Sequence, residues 1–431
     1  MANFLSLYEQ KKSTFSEALS LIQNKDKIVL PLGCGEPVGL VGFLSDNLHQ
    51  FDGITVHQML PLRSWRYFED EYNNNVKHYS WFISGISRKA VNSGHAESVP
   101  NYFFESPRLI CEYLNPNVVM AAVSPMDKHG FFSLGVSVDY TWEAIKNADR
   151  VILEVNKYMP RTLGNSFVHI SEVDCLVENH VPLIEIPQAE VGPAEEKIGQ
   201  QIAELVEDGS TLQLGIGAIP NAITKYLTDK KDLGIHSEML TDGMVDLVNK
   251  GVITNAKKTI HRGKIIGTFA AGTRKLYDFL DDNPVVEMHP VSYTNDPAVI
   301  SKNYKMVAIN AALQIDLTGQ VAAESLGHYQ FSGTGGQVDF LRGANAANGG
   351  KPIIALNSVA QGGNVSRIVS TLPSGAVVTT PRTEVGYVVT EFGVCNLKGK
   401  SLRERTRSLI NIAHPDFRES LTQEAKKLNL I

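Results

Sequence analysis

The chain has 431 residues, 43% of them hydrophobic and 20% charged, enough to bury large cores in two or three domains. A formal net charge of −6 gives no general attraction for nucleic acid or an acidic membrane surface, so an anionic ligand must be met by local donors. The opening MANFLSLYEQKKSTFSEAL has no apolar core of signal-peptide length, and no later run approaches the ~18 apolar residues of a membrane span, so a cytoplasmic protein is expected.

In chain order, KIVLPLG (27–33), NVVMAAV (117–123), RVILEVN (150–156), LIEIP (183–187) and KPIIALN (351–357) read as strands buried on both faces. They alternate with helical stretches such as VGLVGFLSDNL (38–48), GPAEEKIGQQIAELV (192–206) and NAITKYLTD (221–229). The expected class is α/β and mostly parallel. Four landmarks recur in the same order. LPLGCGEPVGLVGFLSD at 30 matches LQLGIGAIPNAITKYLTD at 212, and ITVHQML at 54 matches GIHSEML at 234. Asp127 to Gly130 and Asp316 to Gly319 each form a DxxG turn between strands, and ILEVN ending at Asn156 matches IIALN ending at Asn357. The repeat predicts two similar, mostly parallel α/β domains, 1–190 and 191–431.

The repeat sets Gln58 opposite Glu238. Duplicated α/β folds bind ligands at strand ends, usually between the copies, and the copy bearing a reactive group departs from its twin there. Gln58 is neutral and Glu238 ionises; Glu238 is either a nucleophile or a solvated carboxylate at a strand end. Glycine loops in the second copy supply backbone donors: QLGIGAIPNAI with Gly215 and Gly217, HYQFSGTGGQVDFLRGANAANGGK with Gly333, Gly335 and Gly336, and NSVAQGGNVSRIVSTLPSG with Gly362 and Gly363. The first has neither a third glycine for a dinucleotide fingerprint nor the Lys and Ser/Thr of a P-loop, and alone it also reads as a tight strand-to-helix turn. Asp339 and Arg342 are expected to fix the second loop by pairing. Arg403, Arg405 and Arg407 read as the solvated face of an amphipathic helix. Cys34 has no basic neighbour in sequence to lower its pKa and reads as a small residue in a tight turn. The four scattered cysteines show no CxxC and the histidines no HxxxH or HExxH, so reduced thiols and no metal site are expected.

EVNKYMPRTLGNSFVH, GIGAIPNAI, HSEMLTDGMVDL, SYTNDP, GTGGQVDFLRGA and EVGYVVTEFGVCNLKGKSLRERTRSLINIAHPDFR together resemble the class I coenzyme A transferases, in the acetyl-CoA hydrolase/transferase group. The resemblance runs over nearly the whole chain. It implies a catalytic glutamate at Glu238, an oxyanion hole at the Ile219 and Gly336 amides, and further active-site positions at Asn295 and Glu384. It also implies that the last strands and helices face coenzyme A. The QVD after GTGG departs from relatives outside this subgroup, which have a shorter small-residue form.

The implied reaction moves CoA from a short-chain acyl-CoA, such as acetyl-CoA or butyryl-CoA, to a short carboxylic acid such as 4-hydroxybutyrate, with no cofactor beyond coenzyme A as substrate. Glu238, taken near the ordinary carboxylate pKa of ~4.3, attacks without a base to activate it. From the repeat alone, Gln58, Met59 and Leu60 are expected to line the acyl pocket with Cys34, Glu36 and Pro37. The rival readings are a thioesterase with the same nucleophile, a non-catalytic acyl-CoA sensor, and a dehydrogenase disfavoured by its incomplete glycine fingerprint. No nucleic-acid or membrane partner is expected, and a homo-oligomer is.

Overall fold

In the computed structural model, which describes residues 4–72 and 74–431, the chain divides into two compact units. The first comprises Met1–Ile186 and Ile266–Thr294; the second comprises Pro187–Ile265 and Asn295–Ile431.

In the first unit, β1 (Lys27–Val29), β2 (Ile54–Met59), β3 (Val76–Phe82), β4 (Ala96–Ser98), β5 (Val118–Val123), β6 (Arg150–Val155) and β7 (Cys175–Glu178) form one parallel sheet. Its order is β4-β3-β2-β1-β5-β6-β7. Every residue of β5 is buried, as the unbroken apolar run VVMAAV requires of a central strand covered on both faces. Helix α1 (Val38–Asp46) buries Leu40, Val41 and Leu44 into the core that also holds Ile28, Ile54 and Ile152.

The second unit repeats the plan. Here β8 (Thr211–Gln213), β9 (Gly234–Ile235), β10 (Met306–Ala311), β11 (Lys351–Ala355), β12 (Tyr387–Thr390) and β13 (Gly393–Asn396) run in the order β9-β8-β10-β11-β12-β13. All pairs are parallel except the terminal β12–β13 hairpin. The order β2-β1-β5-β6-β7 in one unit matches β9-β8-β10-β11-β12 in the other, so the sequence repeat is a repeat of topology. The DxxG turns match in detail. Asp127 Oδ1 accepts from the His129 and Phe131 amides, Asp316 Oδ1 from those of Thr318 and Gln320, and Gly130 and Gly319 take positive φ. Helix α2 (Pro193–Leu205) opens on Pro193 and packs Gly199 against α3 (Ala218–Tyr226), where a Cβ would lie 2.8 Å from Ala222.

The division differs from the expected 1–190 and 191–431 in one segment: Ile266–Thr294 packs with the first unit. The Val138 and Asp139 amides donate to Thr268 O, Phe269 bridges Ser137, and the Asn165 amide donates to Met288 O at 2.9 Å. These are pairings between residues more than a hundred positions apart, with no local pattern to announce them. Among the described residues, no helix is long and apolar enough to cross a membrane.

Candidate active site

Glu238 follows β9, at the carboxyl edge of the second sheet, on a segment pinned from both sides. Ser237 Oγ donates to Leu214 O at 3.1 Å and accepts from the Leu214 amide, while the His236 amide donates to Leu212 O. On the other side the Ile235 amide donates to Asn255 Oδ1 at 2.9 Å, and the buried Lys258 ammonium donates to Ile235 O at 2.7 Å. Fixing the backbone at both flanks fixes where the carboxylate can reach.

Three residues converge on that carboxylate. Asn295, fully buried ahead of the Asp296 cap of α4 (Pro297–Ile300), donates from Nδ2 to Glu238 Oε2 at 2.8 Å. The Gly336 amide also donates to Glu238. Gly336 is the N-cap of α5 (Gln337–Ala346), so the positive end of a helix meets the carboxylate. Its lack of a side chain is required here, because a Cβ would overlap both Glu238 Oε2 and Asn295 Nδ2. Asp339, in the first turn of α5 and fully buried, brings Oδ2 to 3.4 Å from Asn295 Nδ2. The QVD that follows GTGG is therefore part of the site's frame: Gln337 Nε2 donates to Ala311 O at 2.6 Å and its Oε1 accepts from Thr380 Oγ1.

Burial pushes the Glu238 pKa up to about 7, against the downward pull of the Asn295 and Gly336 bonds. This corrects the expectation of an ordinary carboxylate: near neutral pH Glu238 is divided between its two forms. Desolvation raises the energy of the anion and so sharpens it as a nucleophile, at the cost of the ionised fraction.

Ile219 and Gly217 belong to a second grouping. Gly217, at φ +123°, caps α3, and Ile219 is that helix's second residue. Together with Ala311, Ala312, Ala355, Leu356, Asn357, Glu195 and Arg367 this turn lines a cavity of about 230 Å³. The cavity lies at the carboxyl ends of the adjacent strands β8, β10 and β11, where α/β sheets bind ligands. At Gly215 and Gly217 a Cβ would meet nothing within 4 Å. Arg367 and Glu195 line this cavity without having been singled out in the sequence, and Asp339, expected there only to fix its loop, lies against Asn295. The only signal for the first was a lone cation in a glycine-rich segment.

Gly333 and Gly335 run directly into Gly336. The loop of Gly333 and Gly335 is tied down by Glu324, whose carbonyl accepts from the Phe331 and Ser332 amides and whose carboxylate accepts from Thr334 Oγ1. Glu384 meets the other end of α5: its carbonyl accepts from Asn345 Nδ2 at 2.6 Å and its carboxylate lies 3.6 Å from Arg342 Nε. Those partners sit about 9–14 Å along the helix from Gly336. Gly362 lies in the turn of the Val359–Ala360 and Val365–Ser366 hairpin with open space around it. Arg405, expected on a solvated face, is half-buried and donates to the Lys400, Thr318 and Arg382 carbonyls.

Gln58 and Met59 are interior to the first unit. Gln58 Nε2 donates to Glu36 Oε2 at 2.8 Å and to Pro31 O, and the Met59 amide donates to Tyr140 Oη. Glu36 also accepts from Trp65 Nε1 and lies 3.9 Å from Arg63. Cys34, Glu36, Arg63, Glu154 and Asn156 surround a space of only about 10 Å³, room for a single water. Burial pushes the Cys34 thiol up to about 11, in keeping with an unreactive packed residue.

The acetyl-CoA hydrolase/transferase N-terminal domain family matches residues 2–185 and the C-terminal domain family matches residues 272–425. The 4-hydroxybutyrate coenzyme A transferase of Clostridium kluyveri is 51% identical over 98% of both chains. The succinyl-CoA:cyclohexane-1-carboxylate CoA transferase of Geobacter metallireducens is 50% identical over 98% of this chain and 97% of its own. Among solved structures, RipA from Yersinia pestis aligns over 100% of both chains with a TM-score of 0.95 and 43% identity. The chain belongs to the acetyl-CoA hydrolase/transferase family of enzymes, in its CoA-transferase group.

Proposed function

We propose that this enzyme moves CoA from a short-chain acyl-CoA, such as acetyl-CoA or butyryl-CoA, to a short carboxylic acid, by a ping-pong route through a glutamyl-CoA thioester on Glu238. The similarity to the Clostridium kluyveri enzyme favours 4-hydroxybutyrate as the acid. The observation that carries the reading is the buried Glu238 carboxylate, held at Oε2 by the Asn295 amide and set against the Gly336 N–H at a helix start.

Oε2 is the held oxygen, which leaves Oε1 to attack the acyl-CoA carbonyl. The C–S bond breaks and its electron pair leaves on sulfur, giving an acyl-glutamyl anhydride and CoA thiolate. The thiolate then attacks the Glu238 carbonyl carbon and expels the first acid. A second acid runs these steps backwards and regains the carboxylate. Negative charge moves from Glu238 to the substrate carbonyl oxygen, and the Gly336 N–H follows it, joined by the Ile219 N–H from the cavity wall. Each such donor is worth about 3 kcal/mol in comparable sites. The cavity of about 230 Å³ is below the ~300 Å³ of a typical whole-ligand pocket, and suits one end of the thioester. No step calls for a cofactor beyond coenzyme A itself.

The test is peptide mass after mixing with acetyl-CoA without acceptor acid and quenching with borohydride. A CoA-dependent change confined to the peptide holding Glu238 and absent in Glu238→Ala is expected. Steady acetate release from an unmodified peptide means hydrolysis instead, and neither change nor release removes the covalent route.

A further inference from the structure

We propose that Asp339 is a positioning residue that keeps the Asn295 amide turned donor-first toward Glu238 while Glu238 carries no charge. The inference rests on the covalent route above. A primary amide offers two hydrogens on nitrogen and an acceptor oxygen, and which end faces a neighbour is decided by what that neighbour is. Asn295 Nδ2 faces two carboxylate oxygens, Glu238 Oε2 at 2.8 Å and Asp339 Oδ2 at 3.4 Å. Its Oδ1 is buried without a hydrogen-bond partner among the described residues. The amide is thus oriented through its nitrogen alone, by two carboxylates.

In the resting enzyme the ionised Glu238 attracts the donor by itself. Once Oε1 bonds to the acyl carbon, the glutamyl oxygen that remains is a neutral carbonyl in the anhydride and again in the thioester, with charge returning to it only in the tetrahedral species between them. A neutral carbonyl holds a donor much more weakly than a carboxylate. A turned amide would then set Asn295 Oδ1 against the glutamyl oxygen, acceptor against acceptor. Asp339 takes no part in the bonds made and broken, and from the first turn of α5 its Oδ2 stays within reach of Asn295 Nδ2. It holds the amide in the states where Glu238 cannot. Both half-reactions cross the anhydride, so both depend on it.

The test compares Asp339→Asn, Asn295→Ala and the double variant in the two half-reactions, charging by acetyl-CoA and discharge by a free acid, together with KM and thermal midpoint. Asp339→Asn is expected to slow both half-reactions about tenfold or more, with KM for acetyl-CoA and the midpoint nearly unchanged. In the Asn295→Ala background it is expected to add nothing, since the residue it positions is gone. In unaltered enzyme labelled with nitrogen-15 on asparagine, the Asn295 side-chain resonance, assigned by its loss in Asn295→Ala, is expected to stay protected from exchange once Glu238 carries CoA. Equal slowing with and without Asn295, full activity in Asp339→Asn, or loss of that protection in the adduct overturns the proposal. Failure of unaltered enzyme to form any adduct on Glu238 instead overturns the covalent reading beneath it.

Discussion

Each unit buries a carboxylate bonded to a primary amide at 2.8 Å: Glu238 with Asn295 in the second, Glu36 with Gln58 in the first. What surrounds each pair differs. Glu36 is 3% exposed, with Gln58, Trp65 and Arg63 arrayed on its oxygens and space beside it for one water. Glu238 keeps some residue surface exposed while its carboxylate is desolvated, and it meets one side-chain amide and one backbone N–H. Burial raises both carboxyls above their ordinary range, so a shifted pKa does not separate them. Both oxygens of Glu36 accept from side-chain donors, Oε2 from Gln58 and Oε1 from Trp65, whereas Glu238 has a single side-chain donor, on Oε2.

Exchanging the two carboxylates for amides tests this contrast most severely. Glu238→Gln is expected to lose activity on the order of 10⁴-fold or more, while Glu36→Gln keeps it within about tenfold, read by acetyl-CoA turnover with an acceptor acid. Comparable losses in both would erase the distinction. Gly336→Ala is expected to cost about 10²–10³-fold in kcat with the fold intact by circular dichroism, because the new Cβ displaces Glu238 Oε2 and disturbs the amide donor. The pH profile sharpens the picture next. Attack requires ionised Glu238, so kcat/KM should fall below about pH 7, and Asn295→Ala should move that limb upward, since its bond favours the anion.

Stability then compares the pair at a set pH. The folded pKa of Glu238, about 7, lies above its unfolded value, so the contribution of the protonated group is full below pH ~4.5 and is lost as pH rises through 7. Glu238→Gln should therefore be more stable than the unaltered protein at pH 8, by about 1–3 kcal/mol in urea unfolding, with the gap closing toward pH 4.5. Glu36→Gln should show the same pH trend, because burial raises that carboxyl too, but set lower by about 1–2 kcal/mol, since one amide oxygen cannot accept from both Gln58 Nε2 and Trp65 Nε1. The smallest effect is expected for Gln58→Ala: because Gln58 is interior and bonded to Glu36 and Pro31, the ranking of acceptor acids, measured with acetyl-CoA and a series of short acids, should stay unchanged. A shift of a few-fold or more in that ranking returns Gln58 to acyl selection.

The repeat was legible because each copy spells out the same local events in the same order: a fully apolar run such as VVMAAV, a glycine turn, then an amphipathic helix. That order alone pairs Gln58 with Glu238. Three features were hidden because they depend on distant partners. Asp339 and Asn295 are 44 positions apart, and nothing in QVD points to SYTNDP. The raised pKa of Glu238 arises from packing around it, which a single residue type cannot report. Gln58 and Met59 read as strand-end residues, yet the Glu36, Pro31 and Tyr140 bonds draw them into the interior.

The return of Ile266–Thr294 to the first unit has a consequence for how the protein is made. On the ribosome, the first unit must wait through the whole synthesis of 187–265 before its last piece emerges, and the stretch bearing Glu238 is exposed in the meantime. A fragment ending near residue 190 lacks what Val138, Asp139 and Asn165 bond to, and it is expected to be unstable and prone to aggregate. Gene fusions, circular permutations and split reporters built on this enzyme have to be cut elsewhere, because the unit's edge in space is not an edge in the message.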